Sequence, residues 1–144
     1  MKELLTNTRD VARELARKYS TMTHEELDQL ESILVPLKFA KNEMILKEGQ
    51  IDENIMYVAK GLVRQFYFKK GKEVTEHMST EGGMVMCIES LFREEPTYLQ
   101  VEALEPTIIY ALPKHKLETV ALHNVNIQIL YRKILEESLI LSQV

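Results

Sequence analysis

Tryptophan is absent from this sequence and cysteine occurs once, as Cys87, in 144 residues. A single thiol excludes an internal disulfide and any zinc site built on several cysteines, and it fits a reducing compartment. Cys87 itself reads as a small buried side chain. No apolar run approaches the length of a membrane span. The N-terminal stretch MKELLTNTRDVARELARKY carries charges throughout and lacks the continuous apolar segment of a secretory signal. A cytoplasmic protein that does not enter the membrane is therefore expected. Positive charge is also in deficit: 18 Lys and Arg stand against 22 Asp and Glu, a formal net charge of −4, with no lysine or arginine run. Without such a surface the chain alone is a poor DNA binder.

The familiar marks of catalysis are missing as well. There is no Walker loop, no dinucleotide-binding glycine pattern and no nucleophile elbow. The four histidines, His24, His77, His115 and His123, do not cluster in the sequence. A metal-binding β-barrel of the cupin kind places two histidines one residue apart on a strand, with a glutamate behind them. In EVTEHMS only His77 is present, flanked at two-residue spacing by Thr75 and Ser79, so it reads as a strand residue and not a ligand. Glu94 and Glu95 precede Pro96 in a charged bend that reads as a solvated turn. No metal, no cofactor and no enzymatic activity are expected.

Hydrophobic residues at 45% and charged residues at 28% suit one globular domain. Residues 3 to 18 alternate apolar and charged positions at helical spacing, with Leu4, Val11, Ala12 and Leu15 on one face. A second helix is predicted in TMTHEELDQLESIL, where Thr23 and Glu26 fit a capping box and Leu27, Leu30 and Leu34 form the stripe. From Pro36 to Leu112 the texture changes to short segments rich in Val, Ile, Phe and Tyr, separated by turn residues. Eight strands are predicted: LKFA, MILK, IMYVAKG, LVRQFYF, EVTEHM, MVMCI, YLQVEAL and TIIYAL, with KKGK at 69 to 72 as a hairpin turn. Helix returns from Pro113 in PKHKLETVAL and NVNIQILYRKILEESLILSQV. The expected plan is helices over 1–35, a jelly-roll or small barrel over 36–112, and helices over 113–144.

The last helix is unusually apolar. Ile127, Leu130, Ile134 and Leu141 recur at three- to four-residue steps, and Ile129, Tyr131, Leu135, Leu139 and Ile140 widen the surface. One reading packs this stripe wholly on its own β-roll. The favoured reading gives Ile127, Leu130, Ile134 and Leu141 to a homodimer interface.

The order of glycines in MILKEGQIDENIMYVAKGLVRQFYFKKGKEVTEHMSTEGGMVMCIESLF is informative. Gly49 follows the strand MILKE, Tyr57, Val58 and Gly61 stand in YVAKG, and Gly71 sits in the hairpin. TEGG then precedes IESLF and the strands of YLQVEALEPTIIYAL. In this order and spacing, roughly residues 20 to 140 resemble the cyclic nucleotide-binding domain, specifically the sensor domain of Crp/Fnr-family bacterial transcription regulators. The resemblance implies a double-stranded β-helix of the jelly-roll type with a long C-terminal helix. It also implies an effector that enters beside a phosphate-binding cassette, with a dimerising helix passing the signal to a DNA-binding helix-turn-helix.

In nucleotide-binding members the cassette opens with Gly-Glu and closes with Arg and a small hydroxyl residue. The glutamate takes the ribose, and the arginine pairs with the cyclic phosphate. With Leu91 and Phe92 as anchors, the resemblance puts Cys87 and Ile88 at the first pair and Thr97 and Tyr98 at the second. Both charges are missing. Glu89 reaches the ribose position only by a one-residue slip, and Arg93 lies too early to replace the arginine. The same overlay sets Gln65 and Glu76 among the pocket-lining strand residues, and with Ser90 these complete the candidate ligand-binding set. Losing an arginine bonded to phosphate costs about 1.5 to 3 kcal/mol, and Glu76 adds repulsion, so no useful affinity for cyclic AMP or cyclic GMP is expected. Two readings of the pocket stay open: it is filled by Ile88, Tyr98 and other side chains, or it takes a different, unidentified small-molecule effector.

Two other sensor chemistries of the wider family differ in standing. An iron-sulfur cluster needs several cysteines and is excluded. Heme held by His77 or Met86 stays open, although seven methionines scattered through a β-roll are more often core filler. No helix-turn-helix can be placed in these residues, so DNA is reached only through one outside them. Leu139, Ile140, Leu141 and Val144 are still apolar with no C-cap glycine, which reads as part of a longer regulator. The alternatives are a stand-alone binding or interaction module and, behind it, a cupin-like enzyme.

Overall fold

The architecture is that of a computed structural model, and the structure describes residues 7–142. Leu4 and Val144, both used in the sequence reading, lie outside them. Helices α1 (Thr8–Tyr19) and α2 (His24–Ile33) lead into eight strands. These are β1 (Val35–Phe39), β2 (Met44–Leu46), β3 (Asn54–Lys60), β4 (Val63–Lys69), β5 (Lys72–Ser79), β6 (Met84–Val85), β7 (Gln100–Ala103) and β8 (Thr107–Pro113). A short helix α3 (Ile88–Arg93) interrupts them after β6, and α4 (Lys114–Ala121) and α5 (Val125–Ser142) close the described residues.

The strands form two four-stranded sheets, ordered β1-β8-β3-β6 and β2-β7-β4-β5. Neighbouring strands run antiparallel. Pro36 lies on edge strand β1, where its missing N–H breaks no inner ladder. The KKGK turn is a two-residue connection in which Lys70 (φ 51°) and Gly71 (φ 76°) both take positive φ, the conformation that matches strand twist. At Gly61 (φ 108°) a Cβ would collide with Thr107 Oγ1 and come within 2.8 Å of Pro106 O. Only glycine fits there.

Strand β3 shows why the middle of the sequence reads as nearly continuous apolar runs. Met56 and Val58 point between the sheets, where they meet Leu46, Val63, Val101 and Ile109. Ile55, Tyr57 and Ala59, on the opposite face, pack under the helices with Tyr110 and Leu112. Against them lie Val11, Ala12 and Leu15 of α1, Leu30 of α2, Leu117 of α4, and Ile127, Leu130 and Ile134 of α5. Helix α2 carries the capping box predicted for it: Thr23 Oγ1 accepts from Glu26 N and Glu26 Oε1 accepts from Thr23 N. Glu26 also receives the Asn126 side-chain amide at 2.8 Å, which ties the start of α2 to the start of α5.

Helix α5 corrects the interface expected from sequence. Ile127, Leu130 and Ile134 are fully buried against their own domain, so three of the four residues assigned to a dimer interface are core residues. The stripe does so because it faces the sheet-covering layer of α1, α2 and α4. Leu139, Ile140 and Leu141 are instead 61%, 67% and 52% exposed. No helix among the described residues is long and apolar enough to cross a membrane.

Candidate functional site

The strand predicted in MVMCI is shorter than expected, and the reason lies at the site. Strand β6 ends at Val85 because the Cys87 amide leaves the ladder and donates to Asp52 Oδ2 at 2.8 Å. Asp52 comes from the loop between β2 and β3 and is buried. Its other oxygen accepts from Asn54 N at 3.1 Å, and its own amide donates to Ser90 Oγ at 2.9 Å. Ser90 passes the chain on by donating to Glu95 O. Burial pushes the Asp52 carboxyl up to about 6, against the opposing pull of the Cys87 and Asn54 amides. The same loop grips the far end of the α3 segment, where Thr97 N donates to Gln50 O at 2.8 Å and Gly49 N donates to Thr97 O at 2.9 Å.

The segment held in this way forms one wall of a cavity of about 660 Å³. All eight ligand-binding candidates named from sequence line it: Gln65, Glu76, Cys87, Ile88, Glu89, Ser90, Thr97 and Tyr98. They divide into two kinds. Gln65, Cys87, Ser90 and Thr97 are buried, and their polar atoms are largely used internally. Gln65 Nε2 donates to Met86 O at 2.8 Å and approaches Cys87 Sγ at 3.5 Å, while Thr97 Oγ1 donates to Leu99 O at 2.9 Å and accepts from Leu99 N. Burial, then the Asp52 charge, holds the Cys87 thiol up at about 11, so it stands as a neutral SH group. Glu76, Ile88, Glu89 and Tyr98 are exposed to the cavity or its mouth, so Ile88 and Tyr98 stand on its wall and do not plug it.

Strand β5 contributes more than alternation allows. Gln65 pairs with His77 and Phe66 with Thr75, so Glu76 is an extra residue on the edge strand, a β-bulge. This re-aims the strand, and Glu76, His77, Met78 and Ser79 all reach the cavity. His77 Nε2 lies 3.8 Å from Glu76 Oε1. The lining also includes Met84, Met86, Phe92, Arg93 and Glu95, and from α5 Ser138, Leu141 and Ser142. Sequence reasoning missed the α5 residues, and Leu141 in particular belongs to the cavity wall as well as to the exposed end of the helix. Nothing in their spacing marks them; only the path of α5 across the β-roll does. Asp52 was also missed, because its role exists only through contacts 35 and 38 residues away.

The charges are unequally spread. Glu76, Glu89 and Glu95 line the cavity against one guanidinium, Arg93, which is largely exposed and lies 3.6 Å from Glu89. Arg64, on the neighbouring strand, is turned away: it pairs with Glu102 at 2.8 Å and Glu73 at 2.9 Å and stacks over Phe66. Among the described residues no cluster of His, Cys, Asp and Glu has the geometry of a metal site.

The chain is thus a two-sheet antiparallel roll with a clamped helical segment, an open cavity beside it and a long final helix. A family model described as the cyclic nucleotide-binding domain matches residues 36–124, and the chain belongs to that family. No curated protein matches it in sequence. Among solved structures it is similar to the catabolite activator protein of Thermus thermophilus, with 21% identity and a TM-score of 0.70 over 87% of this chain. It spans 57% of that protein's length. A cyclic nucleotide-binding domain from Methylobacillus flagellatus matches with 16% identity and a TM-score of 0.76, covering 97% of this chain and 84% of the other. The sensor domain of the transcriptional regulator DNR from Pseudomonas aeruginosa matches with 15% identity and a TM-score of 0.69, covering 91% and 90%. At these identities the likeness is one of fold.

Proposed function

We propose that this domain is the effector-sensing part of a cytoplasmic Crp/Fnr-type bacterial transcription regulator, and that its effector is neither cyclic AMP nor cyclic GMP. One observation carries the reading: a single cavity is bounded on one side by the α3 segment and on the other by Ser138, Leu141 and Ser142 of α5. An occupant touching both would bias where the end of α5 lies, which is what a sensor needs from its ligand. The role is binding, with no chemistry performed on the ligand. DNA contact belongs to a helix-turn-helix outside these residues. In this reading α5 meets a second copy through the exposed Leu139, Ile140 and Leu141, not through Ile127, Leu130 and Ile134.

The exclusion of cyclic nucleotides rests on the lining. Where the family pattern asks for an arginine and a hydroxyl, Thr97 and Tyr98 stand, and the Thr97 hydroxyl is already used by Leu99. The cavity's one arginine lies at its mouth beside Glu89. A phosphate there would lose the charge-assisted bonds, each worth about 1.5–3 kcal/mol, and face three carboxylates. Calorimetric titration with cyclic AMP and cyclic GMP is expected to give no saturable heat up to about millimolar concentration. Saturable binding of either in the micromolar range would overturn the reading.

A further inference from the structure

The cavity's chemistry narrows the ligand class further, and this step rests on reading the cavity as an effector site. Its floor and walls are apolar and soft, with Met78, Met84, Met86, Leu99 and Leu141 facing the space. Phe92 and Tyr98 add two aromatic rings, both partly exposed. Lys114 Nζ already sits 5.4 Å from the Phe92 ring, whereas Tyr98 packs T-shaped with Tyr67 at 5.8 Å between centroids. Of the two rings, Tyr98 is the one over which no cation lies among the described residues.

Among the residues lining this space the one guanidinium, Arg93, stands against three carboxylates, Glu76, Glu89 and Glu95. The Cys87 amide at the start of α3 is taken by Asp52 Oδ2. Arg93 is near Glu89, and His77 Nε2 lies 3.8 Å from Glu76. Glu76 stands on the bulge of β5, held toward the cavity by the irregular register. Its field is felt on both sides: it helps raise the Tyr98 phenol after burial, and it adds to the causes raising the Cys87 thiol after burial and Asp52. A volume of this size holds a ligand of ordinary small-molecule dimensions.

We propose that the cavity takes an organic cation on an apolar body, with the ammonium set between the Glu76 carboxylate and the Tyr98 ring and the body lying against Met78, Met84 and Met86. Carboxylate and aromatic face together recognise an ammonium without needing an anion site, and the methionines adapt to the shape of the rest.

Three probes with one body and different heads test this: 4-phenylbutylamine, 4-phenylbutanol and 4-phenylbutanoate, each titrated into the intact chain by calorimetry. The amine is expected to bind about tenfold or more tightly than the butanoate, with the alcohol between them. In Glu76→Gln the amine should lose about fivefold or more while the alcohol changes by less than about twofold, a split that a general loss of folding would not give. Equal binding of the three, a preference for the butanoate, or a preference for the amine that survives Glu76→Gln would overturn the inference and leave the effector-site reading standing. Failure of all three to bind would overturn both.

Discussion

Helix α5 is two helices in its surroundings. Its first half sends Ile127, Leu130 and Ile134 into the helical layer under complete burial, and Asn126 is bonded to Glu26. Its second half sends Ser138, Leu141 and Ser142 to a cavity and leaves Leu139 and Ile140 bare. Between them Glu137 is anchored by the Tyr19 hydroxyl at 2.7 Å, with Lys18 Nζ 3.7 Å away. The difference teaches that one apolar stripe can serve stability at one end and be left free for a ligand or partner at the other. A helix needs both to report occupancy: a fixed end to pivot from and a loose end to move.

The largest expected effect falls on the fixed half. Leu130→Ala removes a fully buried side chain among packed neighbours and should cost about 2–5 kcal/mol in denaturant unfolding. A loss below about 1 kcal/mol would break the comparison.

Next in size is the clamp that builds the opposite wall of the cavity. The folded protein holds Asp52 at about 6 against an ordinary 3.8, so the folded state favours the protonated form. A group raised in this way contributes stability that is fully present below its unfolded value and is lost as pH climbs through its folded one. From about pH 4 to about pH 7 wild type should lose on the order of 2 kcal/mol relative to Asp52→Asn, which cannot ionise. Parallel pH profiles for the two proteins would show that Asp52 is not held as described.

The smallest effect belongs to the loose half. Leu139→Ser should leave unfolding of the isolated domain within about 0.5 kcal/mol, since the side chain is mostly in water. If α5 pairs with a second copy, the same substitution should lower the mass seen by light scattering at high concentration. A monomeric mass for wild type as well would remove the dimer from the account of these residues.

How much of this was legible in the sequence depends on the range of the contacts. The strands, the Thr23–Glu26 capping box and the 69–72 hairpin rest on neighbours a few residues apart, and each could be read directly. The eight ligand-binding candidates also fell on one cavity, because the family resemblance fixed the register of the α3 segment. Asp52 was invisible: QIDEN reads as a turn, and the carboxylate gains its role only from Cys87 and Ser90 far along the chain. The bulge at Glu76 was invisible too, since strict alternation would put Glu76 and His77 on opposite faces. For α5 the periodicity of Ile127, Leu130 and Ile134 was plain, but what covers a stripe is a tertiary fact, and the domain's own core covers it here.

In the proposed function, whatever fills the cavity is felt at the end of α5. Hydrogen exchange of the intact chain, with and without saturating 4-phenylbutylamine, reads this directly. Slowed exchange is expected at amides 138–142 together with those of α3 and β5, with no change at 127–134. Protection of α3 and β5 with amides 138–142 unchanged would contradict it.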